Sequence, residues 1–463
     1  MKRRDFIKKT GLTVAGTIVA PYILPSGRLF AQTGTPKADH VVLLMFAGGV
    51  RNQETIGQGY LRDSQMQYAV PGAQPTLNVP GNIMYNMLSG AAPASKVLYG
   101  KGSGGQTPIT QILSQTLQTQ GTLFTEMKSS SPGHYGGLNV MLQGNTLSSQ
   151  GLKQRPINPT IFEYIRRHGG PVDFPASKVW FVGNGIGNSI PLLNHSSHPN
   201  YGAKYGANFF APTVTFGSKG EQYLKDAKIY HPTDQLAPMY EMKYFLDNAY
   251  ENVGKSLPNI GNTDAEKQQI KAFMKTMFDK TTAGTIAFPP DHAGAGNGDT
   301  ATVGYACEVI NEFKPKLTVV NLTAVDSCHS NFTGYLEALH RADHAVGHLW
   351  DFIQKDPVMG GKTTIIAAPE CGRDIQPNQI KDAQNDFYGY DHSDANTLDV
   401  FCLMAGPNTP ANTSVNASTS PTYANQWKTA DLAPTIADIL GVKQDVMNAN
   451  MLAAGAGSLY DKI

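Results

Sequence analysis

Apolar runs that stop at glycine frame this chain. His40 to Phe46 (HVVLLMF) is a continuous β-branched and apolar stretch that ends at Ala47-Gly48-Gly49. That is the pattern of a buried parallel strand whose carboxyl end opens into a loop. Lys178 to Val182 repeats it and ends in Gly183-Asn184-Gly185. Ile109 to Leu117 reads as a helix and Gly121 to Phe124 as a short strand. Pro159 to His168 opens with proline and closes with basic residues and Gly169-Gly170, the punctuation of a helix. Further helices are expected near Gln235–Asn252 and Thr263–Lys280. A regular alternation then follows: helix Ala301–Glu312, strand Leu317–Ala324, helix Asn331–Gln354, strand Thr363–Ala368, strand Val400–Ala405 and helix Thr429–Leu440. It predicts an α/β fold, a doubly wound, mostly parallel sheet flanked by helices. Residues 32–463 are expected to form one such domain. Residues 51–106, rich in Gly, Asn, Gln and Pro, read as a long functional loop, and residues 190–300 as an insertion or cap.

Composition sharpens this picture. Of 463 residues only 16% are charged, against about 25% in a typical soluble protein, while Gly reaches 47 and Pro 29. Coiled coils and charge-rich disordered tails are excluded, and many loops between buried elements are implied. A net charge of +1 makes no electrostatic case for nucleic acid. No apolar run approaches the roughly 18 residues that span a bilayer, so the mature chain is not expected to be membrane-spanning. The start, Lys2-Arg3-Arg4-Asp5-Phe6-Ile7-Lys8-Lys9, precedes a mild apolar run from Gly11 to Leu24 and a small-residue exit at Ala31. These are the parts of a cleaved signal, and Arg3-Arg4-x-Phe6-Ile7-Lys8 resembles the twin-arginine consensus. Residues 1–31 are therefore expected to engage the twin-arginine export machinery and be removed, which places the product in the periplasm or outside the cell. Their removal takes six of the 37 Lys and Arg and one of the 36 Asp and Glu, so +1 becomes −4.

Reactive side chains collect at the strand ends. The first strand delivers Arg51 and Asn52, and the segment after Phe124 delivers Lys128-Ser129-Ser130-Ser131-Pro132-Gly133-His134. The strand at Leu317 delivers Asp326, Cys328, His329 and Asn331. The strand at Thr363 runs into Glu370-Cys371-Gly372-Arg373, and a later loop supplies Tyr390-Asp391-His392. Ligands of doubly wound sheets sit beyond the carboxyl ends of strands. Carboxylates and imidazoles gathered there suit Zn²⁺ or a similar divalent cation, beside which a hydroxyl becomes a nucleophile toward an ester. Plainer readings stand beside these. Ser129–Ser131 could cap the helix starting near His134. Cys328 and Cys371 could form a disulfide, share a metal or simply pack. His340, His344 and His348 form an i, i+4, i+8 stripe assigned to a polar face. Asp343 is read as structural. His195 and His198 lie in an aromatic loop that could line a substrate entrance.

The ordered set of these segments resembles the alkaline-phosphatase-like superfamily. Thr429-Ala430-Asp431-Leu432-Ala433-Pro434-Thr435-Ile436 through Gly441 is similar to that superfamily's C-terminal helix. Within it the chain looks closest to the domain of unknown function 1501 family, on Gly48-Gly49, Gly133-His134-Tyr135, Ser327-Cys328-His329-Ser330-Asn331, Glu370-Cys371-Gly372-Arg373 and Asp391-His392. The resemblance implies a two-metal hydrolase of phosphate or sulfate esters, its substrate a small ester or a saccharide ester. Ser130 would be the nucleophile, with Ser129 and Ser131 adjacent. Asp326, His329, Glu370, Cys371 and His392 would hold metal, and His134 or Arg373 would neutralise the ester oxygens. The superfamily's first-strand metal Asp falls at Ala47, and its later Asp-His pair at Glu370-Cys371. Those departures sustain the alternative of a catalytically silent binding protein of the periplasm or cell envelope on the same fold.

Overall fold

The computed structural model describes residues 34–58, 82–91, 109–146, 155–183, 192–210, 262–289, 298–381, 389–419 and 427–463. The expected leader, the expected helix near Gln235–Asn252 and most of the expected mid-chain insertion lie outside the described residues.

Eight strands form one sheet. They are β1 (His40–Phe46), β2 (Gly121–Lys128), β3 (Val179–Gly183), β4 (Asn208–Phe210), β5 (Leu317–Leu322), β6 (Thr363–Pro369), β7 (Asp399–Ala405) and β8 (Thr413–Val415). Their order is β4-β3-β5-β1-β6-β7-β2-β8. Every pairing is parallel except the two made by β7, which runs against β6 and β2. The direction of β7 has a consequence for the site. It brings the loop that precedes β7, with Tyr390, Asp391 and His392, to the edge where β1, β2, β5 and β6 deliver their carboxyl ends.

All seven residues of β1 are buried, with β6 paired along its whole length and β5 from Val41 to Phe46. Its alternate residues feed two cores. Val42, Leu44 and Phe46 join the helices Asp264–Ala283, Gly298–Phe313 and Phe332–Lys355. Val41, Leu43 and Met45 join the helices His134–Gln143, Ile161–Asp173 and Leu432–Ile439. This double burial is why the strand reads as a continuous apolar run. Among the described residues no helix is long and apolar enough to cross a membrane.

Two local expectations are corrected. Residues 109–116 are not helical, and only Leu117–Gln120 turns once. The backbone N–H groups of Ile112 and Leu113 donate to Asn86 Oδ1 at 2.9 and 3.1 Å, so a side chain takes donors that a helix would direct at its own carbonyls. The histidine stripe is not a polar surface, since His340 and His344 are fully buried. Residues 83–87 cover that face of the helix Phe332–Lys355. His340 Nδ1 lies 2.9 Å from Ile83 O, and the Tyr85 ring packs against both imidazoles. Asp343, in the same stripe, accepts from Asn86 N, Asn86 Nδ2 and Met87 N at 2.8–2.9 Å. The aromatic loop also packs. Tyr201 lies against Tyr164, His198 and the Arg167 guanidinium, and Phe209 stacks on Phe181.

Candidate metal centre

Four strand ends build the centre. After β5 the chain turns through a 3₁₀ segment, Ala324–His329, which presents Asp326 and His329 on one side and encloses Val325 and Cys328. After β2, Ser129 fastens the connecting loop by donating to Glu370 O at 2.6 Å, and the helix His134–Gln143 begins with His134 in its first position. Glu370, Cys371 and Arg373 follow β6 directly. The loop before β7 is tied down by Tyr390 N to Cys328 O, by Asp374 N to Asp391 O, and by the Arg51 guanidinium stacked 4.2 Å over the Tyr390 ring.

Two tight approaches require glycine. Gly48 (φ 137°) passes so close to Asp326 that a Cβ would sit 2.4 Å from Asp326 N. A Cβ on Gly49 (φ 72°) would sit 2.7 Å from Arg373 Nε. The Gly48-Gly49 pair is thus the condition for these side chains to meet.

The imidazoles are oriented by carboxylates behind them. His134 Nδ1 is 2.7 Å from Glu370 Oε1, and His329 Nδ1 is 2.6 Å from Asp391 Oδ1. Both rings therefore turn Nε2 inward, where the two nitrogens lie 3.4 Å apart. Asp326 Oδ1 completes a triangle, 3.1 Å from His134 Nε2 and 3.5 Å from His329 Nε2. The His392 ring closes the fourth side, with centroids 4.5 Å from His134 and 5.0 Å from His329. One ligand nitrogen from each of the three histidines falls within 4.8 Å of the others.

Electrostatics follow from this packing. Burial opposes a charged His134, but hydrogen bonds to Asp326 and Glu370 outweigh it and raise its pKa to about 9. Burial likewise opposes the Asp326 carboxylate, yet the His134 and Arg373 partners pull it down to about 2. His392 is lowered by burial first and then by the positive His134, Arg373 and His329 around it.

The remaining expected residues take these places. Glu370 is fully buried, and its Oε1 accepts from Gly48 N (2.6 Å) and Gly49 N (3.2 Å) besides His134. Its Oε2 has no N–H or O–H partner, and the buried Cys371 thiol lies beside the pair, 3.5 Å from His134 Nδ1. Arg373 is fully buried too. It donates to Gly48 O through Nε and Nη2, to Tyr390 O through Nη1 and to Asp326 Oδ1 through Nη2 at 2.9 Å. All four cysteines are free and buried. Ser129 is committed to backbone carbonyls and Ser131 Oγ to Gly133, whose residue caps the helix with no side-chain bond. Ser130 lines a cavity of about 400 Å³ with Lys128, Ser129, Thr146 and Lys428, and no residue of the imidazole cluster lines that cavity. The sequence places Asp391 at the strand ends beside His392 but assigns it no role, and the structure puts its carboxylate behind His329.

A divalent cation fits this donor set. Tetrahedral zinc with bonds near 2.05 Å spaces its ligand atoms roughly 3.3 Å apart. The Asp326–His134–His329 triangle has edges of 3.1, 3.4 and 3.5 Å. A carboxylate on the far nitrogen of a ligating histidine is the usual support of such a site.

No protein-family model matches the chain, and no curated protein does. Among solved structures it is similar to an alkaline phosphatase superfamily protein from Vibrio parahaemolyticus (TM-score 0.39, 11% identity, 96% of this chain and 76% of that one). It is also similar to the phosphonate monoester hydrolase of Agrobacterium radiobacter (TM-score 0.38, 11% identity, 88% and 74%). A third likeness is to the lipoteichoic acid synthase LtaP from Listeria monocytogenes (TM-score 0.36, 9% identity, 93% and 78%).

Proposed function

We propose that this chain is an exported, metal-dependent hydrolase of phosphate or sulfate esters, of the alkaline-phosphatase-like superfamily. The observation that carries the metal half of this reading is the inward-facing triangle of His134 Nε2, His329 Nε2 and Asp326 Oδ1, with both far nitrogens held by Glu370 and Asp391. His134, His329, Asp326 and His392 would hold the cation. When bound, it would supply Lewis acidity toward an ester oxygen. Glu370 and Asp391 orient the imidazoles, and the Gly48-Gly49 backbone holds Glu370 in place. Ser130, which lines a cavity that no residue of the imidazole cluster lines, remains the hydroxyl assigned to attack. Its bond to phosphorus or sulfur would form as the ester's bond to its alcohol breaks, and the departing alcohol would take up the proton through solvent. Water would then release phosphate or sulfate. Arg373 holds Asp326 and the Gly48 carbonyl from within the protein, where its full burial keeps it from substrate oxygens.

The test is elemental analysis of protein purified without chelator, with hydrolysis of aryl phosphates and aryl sulfates before and after stripping. Metal that disappears in His392→Ala together with chelator-sensitive turnover is expected. Less than a tenth of an equivalent of any metal, and no turnover, would sink the reading. A silent binding protein is favoured by one observation, the wholly enclosed Ala47 where the superfamily pattern has a donor. Stoichiometric metal without hydrolysis of any tested ester would select it.

A further inference from the structure

We infer that the centre seats one divalent cation, and that the Arg373 guanidinium permanently fills the place of a second. This rests on the metal reading above and deepens it. A two-cation centre needs a second set of donors beside Asp326, and three observations show that set to be depleted, with the buried Glu370 Oε2 left uncommitted. Ala47 sits at the end of β1, fully enclosed, with no donor atom. Glu370 Oε1 already accepts three N–H groups, from Gly48, Gly49 and His134. Arg373 reaches into the same corner with no solvent contact, and its Nη2 touches both Asp326 Oδ1 and Gly48 O.

Charge points the same way. The carboxylates within hydrogen-bond reach of the imidazoles or the guanidinium are Asp326, Glu370 and Asp391. With the imidazoles neutral, as ligands to a cation must be, three negative charges face one fixed positive charge, and the shortfall of two is what one divalent ion supplies. A second ion would leave a buried excess of positive charge beside a guanidinium that cannot lose its proton.

The competing seat is the fully buried group His134, Glu370 and Cys371. It would need His134 Nδ1, which the Glu370 hydrogen bond holds, so both seats draw on one ring. An ion there would bind the Cys371 thiolate, whereas the single seat proposed here leaves the thiol untouched.

The experiment titrates chelator-stripped full-length protein with Zn²⁺, and separately with Co²⁺, followed by dialysis and elemental analysis. One equivalent is expected, with no near-ultraviolet thiolate-to-cobalt charge-transfer band and an unchanged cobalt spectrum in Cys371→Ser. Two equivalents, or a thiolate band that Cys371→Ser abolishes, overturns the inference and leaves the metal reading standing. No binding overturns the metal reading and this inference with it. Arg373→Ala, which frees Asp326 Oδ1 and the Gly48 carbonyl beside the uncommitted Glu370 Oε2, is expected to take up a second equivalent. A folded Arg373→Ala that stays at one equivalent refutes the stand-in role, and if that variant does not fold, the wild-type stoichiometry and the cobalt spectra decide.

Discussion

Two polar clusters in this molecule use the same residue types to opposite ends. Around Asp343 on the helix Phe332–Lys355, a carboxylate meets backbone and amide N–H groups from Asn86 and Met87 and is roofed by Tyr85, His340 and His344. Every part of that cluster is sealed. Around Asp326, carboxylates face imidazoles, and one side stays open: side-chain exposure is 36% for Asp326 and His329 and 48% for Asp391. A sealed carboxylate with matched donors stabilises a connection. Convergent lone pairs at an opening invite a cation. The sequence shows Asp and His in both places, and only the partners distinguish them.

That contrast can be broken most forcefully at the open cluster. His329→Ala removes a ligand nitrogen and is expected to lower bound metal below a tenth of an equivalent and hydrolysis by at least about 10³-fold, with the melting temperature of metal-free protein nearly unchanged. Elemental analysis and calorimetry on the same sample check both halves. The sealed cluster should answer in reverse. Asp343→Ala strands the Asn86 and Met87 donors and is expected to cost about 3 kcal/mol in denaturant unfolding, while metal per folded molecule stays normal. Metal lost in proportion would mean that the two regions are not separate.

Smaller changes sharpen the distinction. Glu370→Gln keeps the shape but removes the charge behind His134, so metal affinity should fall about 10- to 100-fold without loss of fold. Competition with a chromogenic chelator measures it, and unchanged affinity would remove Glu370 from the orienting role. The pH response of metal-free protein should also divide by region. The His134 pKa is raised from 6.5 to about 9, so its stabilisation is fully present below 6.5 and lost as pH rises through 9. Burial raises Asp343 from 3.8 to about 7, against the hydrogen bonds from Asn86 and Met87, so its share of stability is present below 3.8 and lost as pH rises through 7. His134→Gln should flatten unfolding free energy above pH 6.5, and Asp343→Asn should flatten it between 3.8 and 7. Failure of either substitution to alter its own window would contradict the assigned partners.

Particular elements show how far the sequence could be read. β1, β3, β5, β6 and β7 stand out because strands buried on both faces are uninterrupted apolar runs. β4 and β8 are three residues each and too short to carry a period. The stretch 109–116 has a helical pattern but no helix, because the donors of Ile112 and Leu113 go to Asn86, a side chain 26 and 27 residues away. The histidine stripe looks polar in sequence for a related reason: the segment that buries it, residues 83–87, has a loop-like composition and lies far away along the chain.

What the sequence determined by itself is the set of apolar strands, the glycines after them and the polar residues beyond those glycines, because all of these are local properties of the chain. What only the tertiary structure decided is which of those residues face each other. Glu370 lies 236 residues from the histidine it supports, and Asp391 lies 62 from its own. Their pairing depends on β7 running antiparallel and on Gly48-Gly49 letting Asp326 and Arg373 approach. No residue carries that information alone, because a hydrogen bond across the end of a sheet depends on the order and direction of every strand between its partners.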